Sequence, residues 1–188
     1  MKTSAIGYNL IKNYEGCRLT SYKCVPTEKY YTIGYGHYGV TKSLSITQEQ
    51  ANEYLELDIQ KAEKKVNKYQ AKYSFNQNQY DALVSFAFNL GTIDQLTANG
   101  TRTKEVIASK ILEYNKSAGR ILAGLTTRRR AENVLYNTKM PESHSIPEIA
   151  LEVLNGEWGN GVARKTRLEA CGYSYPEVQR EVNKLLQA

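Results

Sequence analysis

Apolar residues and helix caps mark the chain's elements in order. Ile6, Leu10 and Ile11 recur at helical spacing behind Thr3 and Ser4, predicting a short amphipathic helix that Gly16 stops with left-handed backbone. The run Tyr30-Tyr31-Thr32-Ile33-Gly34-Tyr35-Gly36 mixes aromatic and β-branched residues with glycines, the composition of a short twisted hairpin. Thr47-Gln48-Glu49-Gln50 is a capping box opening a long helix with Ala51, Leu55, Ile59, Ala62 and Val66 as its buried stripe. Asn76 with Gln79 caps the next helix. Its Tyr80, Leu83, Val84, Ala87 and Phe88 make it apolar nearly all round, so it is the central helix of the core, stopping at Asn89-Leu90-Gly91. A helix over Thr103–Tyr114, a loop at Asn115–Gly119 and a last helix over Thr126–Tyr136 complete this region.

Pro141-Glu142-Ser143-His144-Ser145 breaks the pattern and reads as a linker, giving domains at 1–140 and 146–188. Three helical signals follow. Ser145 with Glu148 caps the first around Pro147, and Asn155-Gly156 ends it; the second runs from Val162 to Cys171. Ser174 with Glu177 caps the third, whose stripe is Val178, Val182, Leu185 and Leu186. Such a small bundle has a thin core that Trp158 is placed to fill. The fold class expected is α+β: a small β-hairpin lobe and a helical lobe, then a three-helix bundle.

Composition excludes more than it selects. No apolar run reaches membrane-spanning length, and the first residues, Met1 to Tyr8, have too little apolar length for a signal peptide. Cys17, Cys24 and Cys171 are an odd set at uninformative spacing, expected as reduced thiols, although Cys17 and Cys24 are free to pair. There is no Cys/His cluster, phosphate-binding glycine loop or dinucleotide fingerprint, so neither metal nor cofactor is expected.

Glu15 is the candidate of most chemical interest. It leaves the first helix at the negative end of the dipole, among Tyr14, Leu19 and Tyr22. Dipole and desolvation both disfavour a carboxylate, and a carboxyl kept protonated near neutral pH is what a general acid needs. The alternative is an ordinary exposed residue in a last helical turn. The downstream residues shift the balance: eight residues separate Glu15 from Cys24, and Thr32-Ile33-Gly34-Tyr35-Gly36-His37 comes next. This resembles the phage-type lysozymes, glycoside hydrolase family 24, whose signature is Glu, eight residues, Asp or Cys, five residues, Thr. Seven residues separate Cys24 from Thr32, and the surplus falls in the turn-like Val25-Pro26-Thr27-Glu28-Lys29. The resemblance covers Ser4 to Thr138, including Asp81–Phe86 and Phe88–Gly91.

It implies a two-lobed domain with a cleft between the lobes and Glu15, Cys24 and Thr32 as catalytic residues. Glu15 would protonate the glycosidic oxygen and Thr32 would help hold the attacking water. Cys24 stands where other members carry an Asp that stabilises the transition state or activates water. Lys23 and Lys29 are near enough in sequence to favour its thiolate, and Glu28 is a rival for the missing carboxylate. His37 reads as a hydrogen-bonded structural residue. Arg128-Arg129-Arg130 reads as a solvated face with one arginine pairing Glu132.

The tail is similar to the CW-seven type of wall-binding repeat through Glu157–Lys165, Ala170–Tyr175 and Val178-Gln179, in one copy. Such repeats bind the peptide-bearing disaccharide of peptidoglycan. The Gly159-Asn160-Gly161 turn lets a ligand approach the backbone, Arg164 and Arg167 can pair carboxylates, and Tyr173 or Tyr175 can stack on sugar. Trp158 is either core or part of that face. The net charge of +6 is uneven: five Lys/Arg against six Asp/Glu from Ile146 onward leave +7 for the first part. That suits an acidic cell wall or nucleic acid, and charge alone does not decide.

Together the two resemblances imply an endolysin-like peptidoglycan hydrolase, cleaving the β-1,4 bond between N-acetylmuramic acid and N-acetylglucosamine. Its partners are expected to be peptidoglycan and muropeptides, without nucleic acid or membrane insertion. It is expected to be a monomer made in a host cytoplasm and released to the wall through a lesion made by another protein. The rivals are a wall-binding protein that has lost catalysis and a basic nucleic-acid binder.

Overall fold

The Ser4 hydroxyl accepts the Ile6 amide proton and starts helix α1 (Ala5–Glu15). Gly16, at φ +63°, ends it and turns the chain into β1 (Arg18–Tyr22). With β2 (Tyr31–Gly34) and β3 (His37–Val40) this strand forms an antiparallel sheet in the order β1-β2-β3. Tyr22 pairs with Thr32 across the first hairpin, and Ile33 with His37 across the second. Gly34 and Gly36, at φ +61° and +92°, make the tight β2–β3 turn. The structure, a computed structural model, describes residues 1–139 and 144–187, so 141–143 of the expected linker lie outside the described residues.

The Thr47–Gln50 capping box opens α2 (Gln48–Tyr73), whose 26 residues span about 39 Å. All five residues of its predicted stripe are buried. The Asn76–Gln79 box opens α3 (Gln77–Leu90), and Gly91 ends it at φ +82°. This helix is buried continuously from Tyr80 to Ala87, as its composition predicted. α4 (Asp94–Thr97), α5 (Lys104–Ile111), a small hairpin of β4 (Lys116–Ser117) and β5 (Arg120–Ile121), and α6 (Ala123–Asn137) follow. Side chains of α1, α2, α3, α5 and α6 share one apolar core.

Two elements were not predicted. α4 is a single turn, too short for periodicity to show. The β4–β5 hairpin falls where a loop was expected; it turns at Ala118 and Gly119, both at positive φ, and alanine at such a position gives no turn signal.

Asp94 ties α4 to α2. It accepts hydrogen bonds from the Tyr69 hydroxyl and, at 3.0 Å, from Lys68. Tyr69 first, then Lys68, pull its carboxyl from the ordinary 3.8 down to about 2. A depressed carboxyl stabilises the fold above the unfolded value of 3.8, and the contribution is lost as pH falls through about 2. Tyr69→Phe is therefore expected to move the Asp94 midpoint up towards 3.8 and to weaken the acid dependence in that window, read by NMR titration and acid unfolding.

Packing divides the chain into two units, Met1–Thr138 and Lys139–Ala188. The second contains α7 (Ile146–Leu154), α8 (Gly161–Ala170) and α9 (Tyr175–Leu185). The Glu148 carboxylate accepts from both the amide and the hydroxyl of Ser145, closing the predicted cap. The predicted Ser174–Glu177 cap does not form. Pro176 removes one of the two amides a cap side chain could take, and the Glu177 amide donates to the Ser174 carbonyl at 3.0 Å instead. Ile149, Ala150, Val153, Leu168, Val178 and Val182 form the core, with Trp158, Tyr173 and Tyr175 packed against it.

Candidate active site and wall-binding face

Glu15 is the last residue of α1, and its side chain is 20% exposed. Oε1 accepts a hydrogen bond from Arg128 Nη1 at 2.6 Å. Oε2 faces the β2–β3 turn, 3.5 Å from where a Cβ on Gly36 would stand. The carboxyl thus sits between α6 and the sheet, at a cavity of about 360 Å³ that Tyr14, Asn89, Leu125 and Arg128 also line.

Arg128 is itself fixed. Its Nε donates to Glu132 Oε1 at 3.2 Å, and its Nη2 donates to the Ser85 carbonyl at 3.1 Å. Arg129 reaches the same carboxylate, Nη2 to Oε1 at 2.9 Å, and the Ser85 hydroxyl adds a bond of 2.7 Å. The expected solvated arginine face is therefore corrected. Arg128 and Arg129 are 4% and 0% exposed, and of the three only Arg130 faces solvent. Arg128, Arg129, Glu132 and Tyr136 lie on the buried face of α6, a phase that i, i+4, i+8 counting from Arg128 would have revealed. Burial pushes the Glu132 carboxyl up and the Arg129 guanidinium down, each partly offset by the opposite charge beside it.

Cys24 lies just past β1, exposed, with a free thiol. Burial first, then Cys24, and last Glu15 raise the Tyr22 hydroxyl, against a lowering by Arg18. Thr32 is buried on β2 and is the cross-strand partner of Tyr22, which puts the two side chains on one face. Lys23 lies 5.2 Å from the centre of the Tyr31 ring and donates to the Pro26 carbonyl; Lys29 lies 5.0 Å from the Tyr30 ring centre. Glu28, the rival carboxylate, accepts the Cys24 amide proton at 3.1 Å and so lies beside Cys24. His37 bonds Asp58 at 2.8 Å and stacks on Tyr54, the structural role expected of it.

In the second unit, Arg164 braces the glycine turn, donating to the Gly159 carbonyl at 2.9 Å and to Asn160 Oδ1 at 2.8 Å. Trp158, Arg167 and Tyr173 come together: the guanidinium lies 5.7 Å from the indole centre, and Tyr173 meets the indole edge-on at 5.9 Å. Glu152, which no motif in the sequence singles out, accepts the indole N–H at 2.8 Å and fixes that ring. Tyr175 is half-buried against the core.

The sequence profile of the phage lysozyme family matches residues 12–132, a span holding Glu15, Cys24, Thr32 and Arg128. The chain belongs to the phage lysozyme family. A second profile, that of the CW_7 repeat, matches residues 147–186. Among relatives of this lysozyme-family chain, the endolysin of Lactococcus phage c2 is 46% identical over 137 residues, 73% of this chain and 61% of that one. The endolysin of Bacillus phage PZA is 43% identical over 155 residues, 77% and 58% of the two chains. The chain thus spans 58–61% of the length of these relatives. The muramidase domain of SpmX from Asticaccaulis excentricus superimposes with a TM-score of 0.64 at 31% identity, covering 73% of this chain and 99% of that domain. The phage lysozyme fold accounts for the mixed first unit, and the three C-terminal helices are an addition to it.

Proposed function

We propose that this phage lysozyme family member hydrolyses the β-1,4 bond between N-acetylmuramic acid and N-acetylglucosamine in peptidoglycan, and that its CW_7 repeat holds it to the wall as a single chain. The observation that carries the reading is the placement of Glu15. One oxygen is anchored by a buried arginine, while the other faces the β2–β3 turn at Gly36, beside a cavity that Glu15 lines. In this geometry Oε2 is the atom that delivers a proton to the glycosidic oxygen, and Arg128 fixes the direction of delivery. The Glu132–Ser85 support keeps Arg128 from following the substrate.

On the opposite side, Thr32 and Cys24 take the attacking water. The thiol supplies an acceptor where other members of the family place a carboxylate. On the repeat, Arg167 over Trp158, with Tyr173 at its edge, offers a cation for peptide carboxylates and aromatic faces for sugar. Arg164 and Asn160 hold the turn beneath it, and Tyr175 supports the face from the core.

The cysteine tests the catalytic half. Cys24→Asp is expected to retain release of reducing ends from purified walls, and Cys24→Ser to lower it about tenfold or more. Full activity in the serine variant removes the thiol from the mechanism. The absence of a carboxylate at position 24 also favours a second reading, a wall-binding protein without catalysis. No reducing-end release by the parent, with gain of activity in Cys24→Asp, would establish that reading.

A further inference from the structure

The two halves of α2 carry opposite charge. Glu49, Glu53, Glu56 and Asp58 stand in the first half with no lysine or arginine among them, and the second half carries Lys61, Lys64, Lys65, Lys68 and Lys72. The acid of the second half, Glu63, is buried and accepts from the Thr3 amide and hydroxyl at 2.7 and 2.8 Å. Lys61 and Lys65 turn to the cavity that Gly36 and Phe88 also line; the other three lysines do not.

Lys64, Lys68 and Lys72 are exposed and four apart, so they form one stripe about 12 Å long, away from that cavity. It continues onto the segment between α4 and α5. Lys72 Cδ lies 3.5 Å from a Cβ built on Gly100, and Arg102, whose carbonyl accepts the Tyr73 hydroxyl at 2.7 Å, adds a guanidinium. Asp94, beside the stripe, is held by Lys68 at 3.0 Å and by Tyr69. Lys64 and Lys72 make no ion pair among the described residues.

This arrangement works against the helix. Like charges four apart, Lys64 with Lys68 and Lys68 with Lys72, are destabilising. Lysines on other helices have acids at such spacings: Lys110 with Glu113, Lys165 with Glu169, Lys184 with Glu181. The helix dipole favours a cation in the last turn, which accounts for Lys72 but not for Lys64 or Lys68.

The stripe fits a linear polyanion. Lysine meets phosphate as a point charge, without the planar fork that arginine offers to carboxylates. A single strand of nucleic acid would need aromatic faces for its bases, and Tyr69 and Tyr73 are buried. A bilayer would need apolar side chains to insert, and the other exposed residues of this half are Asn67 and Ala71. We infer that Lys64, Lys68 and Lys72 bind a phosphodiester-linked polyol polymer attached to the wall, so that the first unit holds the wall by charge, apart from the glycan cleft and the repeat. The choice of a wall polymer rests on the proposed wall target and not on cleavage at Glu15.

The test compares walls that keep their phosphodiester polymers with the same walls after hydrofluoric acid, which cuts phosphodiesters and leaves glycan and peptides. The full chain is co-sedimented with each on ice, and the ratio of the two dissociation constants is read, so the share due to the CW_7 repeat cancels. The parent should prefer the untreated walls. Lys64→Gln with Lys72→Gln should lower that preference about threefold to tenfold and flatten the dependence of log K on log salt by about 1–1.5. Lys64→Arg with Lys72→Arg should hold the parent preference. A parent without the preference, or a glutamine variant that keeps it, overturns the assignment. So does loss of binding to sonicated DNA with the wall preference kept, which would make the stripe a nucleic-acid surface. A parent that sediments with neither wall overturns the wall target as well.

Discussion

Glutamine in place of Glu15 is expected to slow reducing-end release from purified walls by about 10²–10⁴-fold, the range a general acid contributes. The substitution isolates the proton. In Glu15→Gln the amide carbonyl oxygen can still accept the Arg128 bond that Glu15 Oε1 accepts at 2.6 Å, so the guanidinium keeps a partner and the cleft keeps its shape. What disappears is a proton to give to the leaving oxygen. Retention on insoluble walls, measured by co-sedimentation, should stay at the parent level, because the residues proposed to bind wall lie in the other compact unit or on the Lys64–Lys72 stripe of α2. A variant that dissolves walls at the parent rate would remove Glu15 from the chemistry.

The largest effect on stability is expected at Glu132. Its carboxylate, 0% exposed, is shared by Arg128, Arg129 and the Ser85 hydroxyl. Glu132→Ala leaves two buried guanidiniums facing a void and should cost about 3–5 kcal/mol in urea unfolding. An exposed change such as Arg130→Ala should stay within about 0.5 kcal/mol. Exchanging Arg129 and Glu132 together for apolar residues of similar volume should recover much of that loss, since burial works against both charges. The double variant should nevertheless remain slow on walls, because Arg128 loses a support that orients Glu15. Stability restored without activity would separate the two roles; stability as low as in Glu132→Ala would show that the ion pair itself holds the unit together.

The helices were legible because each has a local signature. Thr47–Gln50, Asn76–Gln79 and Ser145–Glu148 announce their starts within four residues, and the stripe from Ala51 to Val66 gives the buried face of α2. The place of Glu15 at the end of α1 was legible for the same reason, where a capped helix meets a glycine; its proposed role as an acid rested on the resemblance carried by the downstream residues. What tertiary structure adds was not legible locally. Arg128 reaches Glu15 from 113 positions away, and charged residues in a row read as surface unless helical phase is followed. Lys23 and Lys29 do not announce their neighbours either: each lies over a tyrosine ring, and Lys23 also donates to the Pro26 carbonyl.

Thr32 reaches its place by strand register. It sits opposite Tyr22 however many residues cross the hairpin tip, and here the tip carries two more than the family's usual gap. Linear spacing is thus an unreliable ruler beyond a hairpin, since the ladder sets the geometry and the tip is slack. A fixed-gap pattern from residue 24 to 32 would pass over this chain, whereas one anchored on the Tyr22–Thr32 rung would find it.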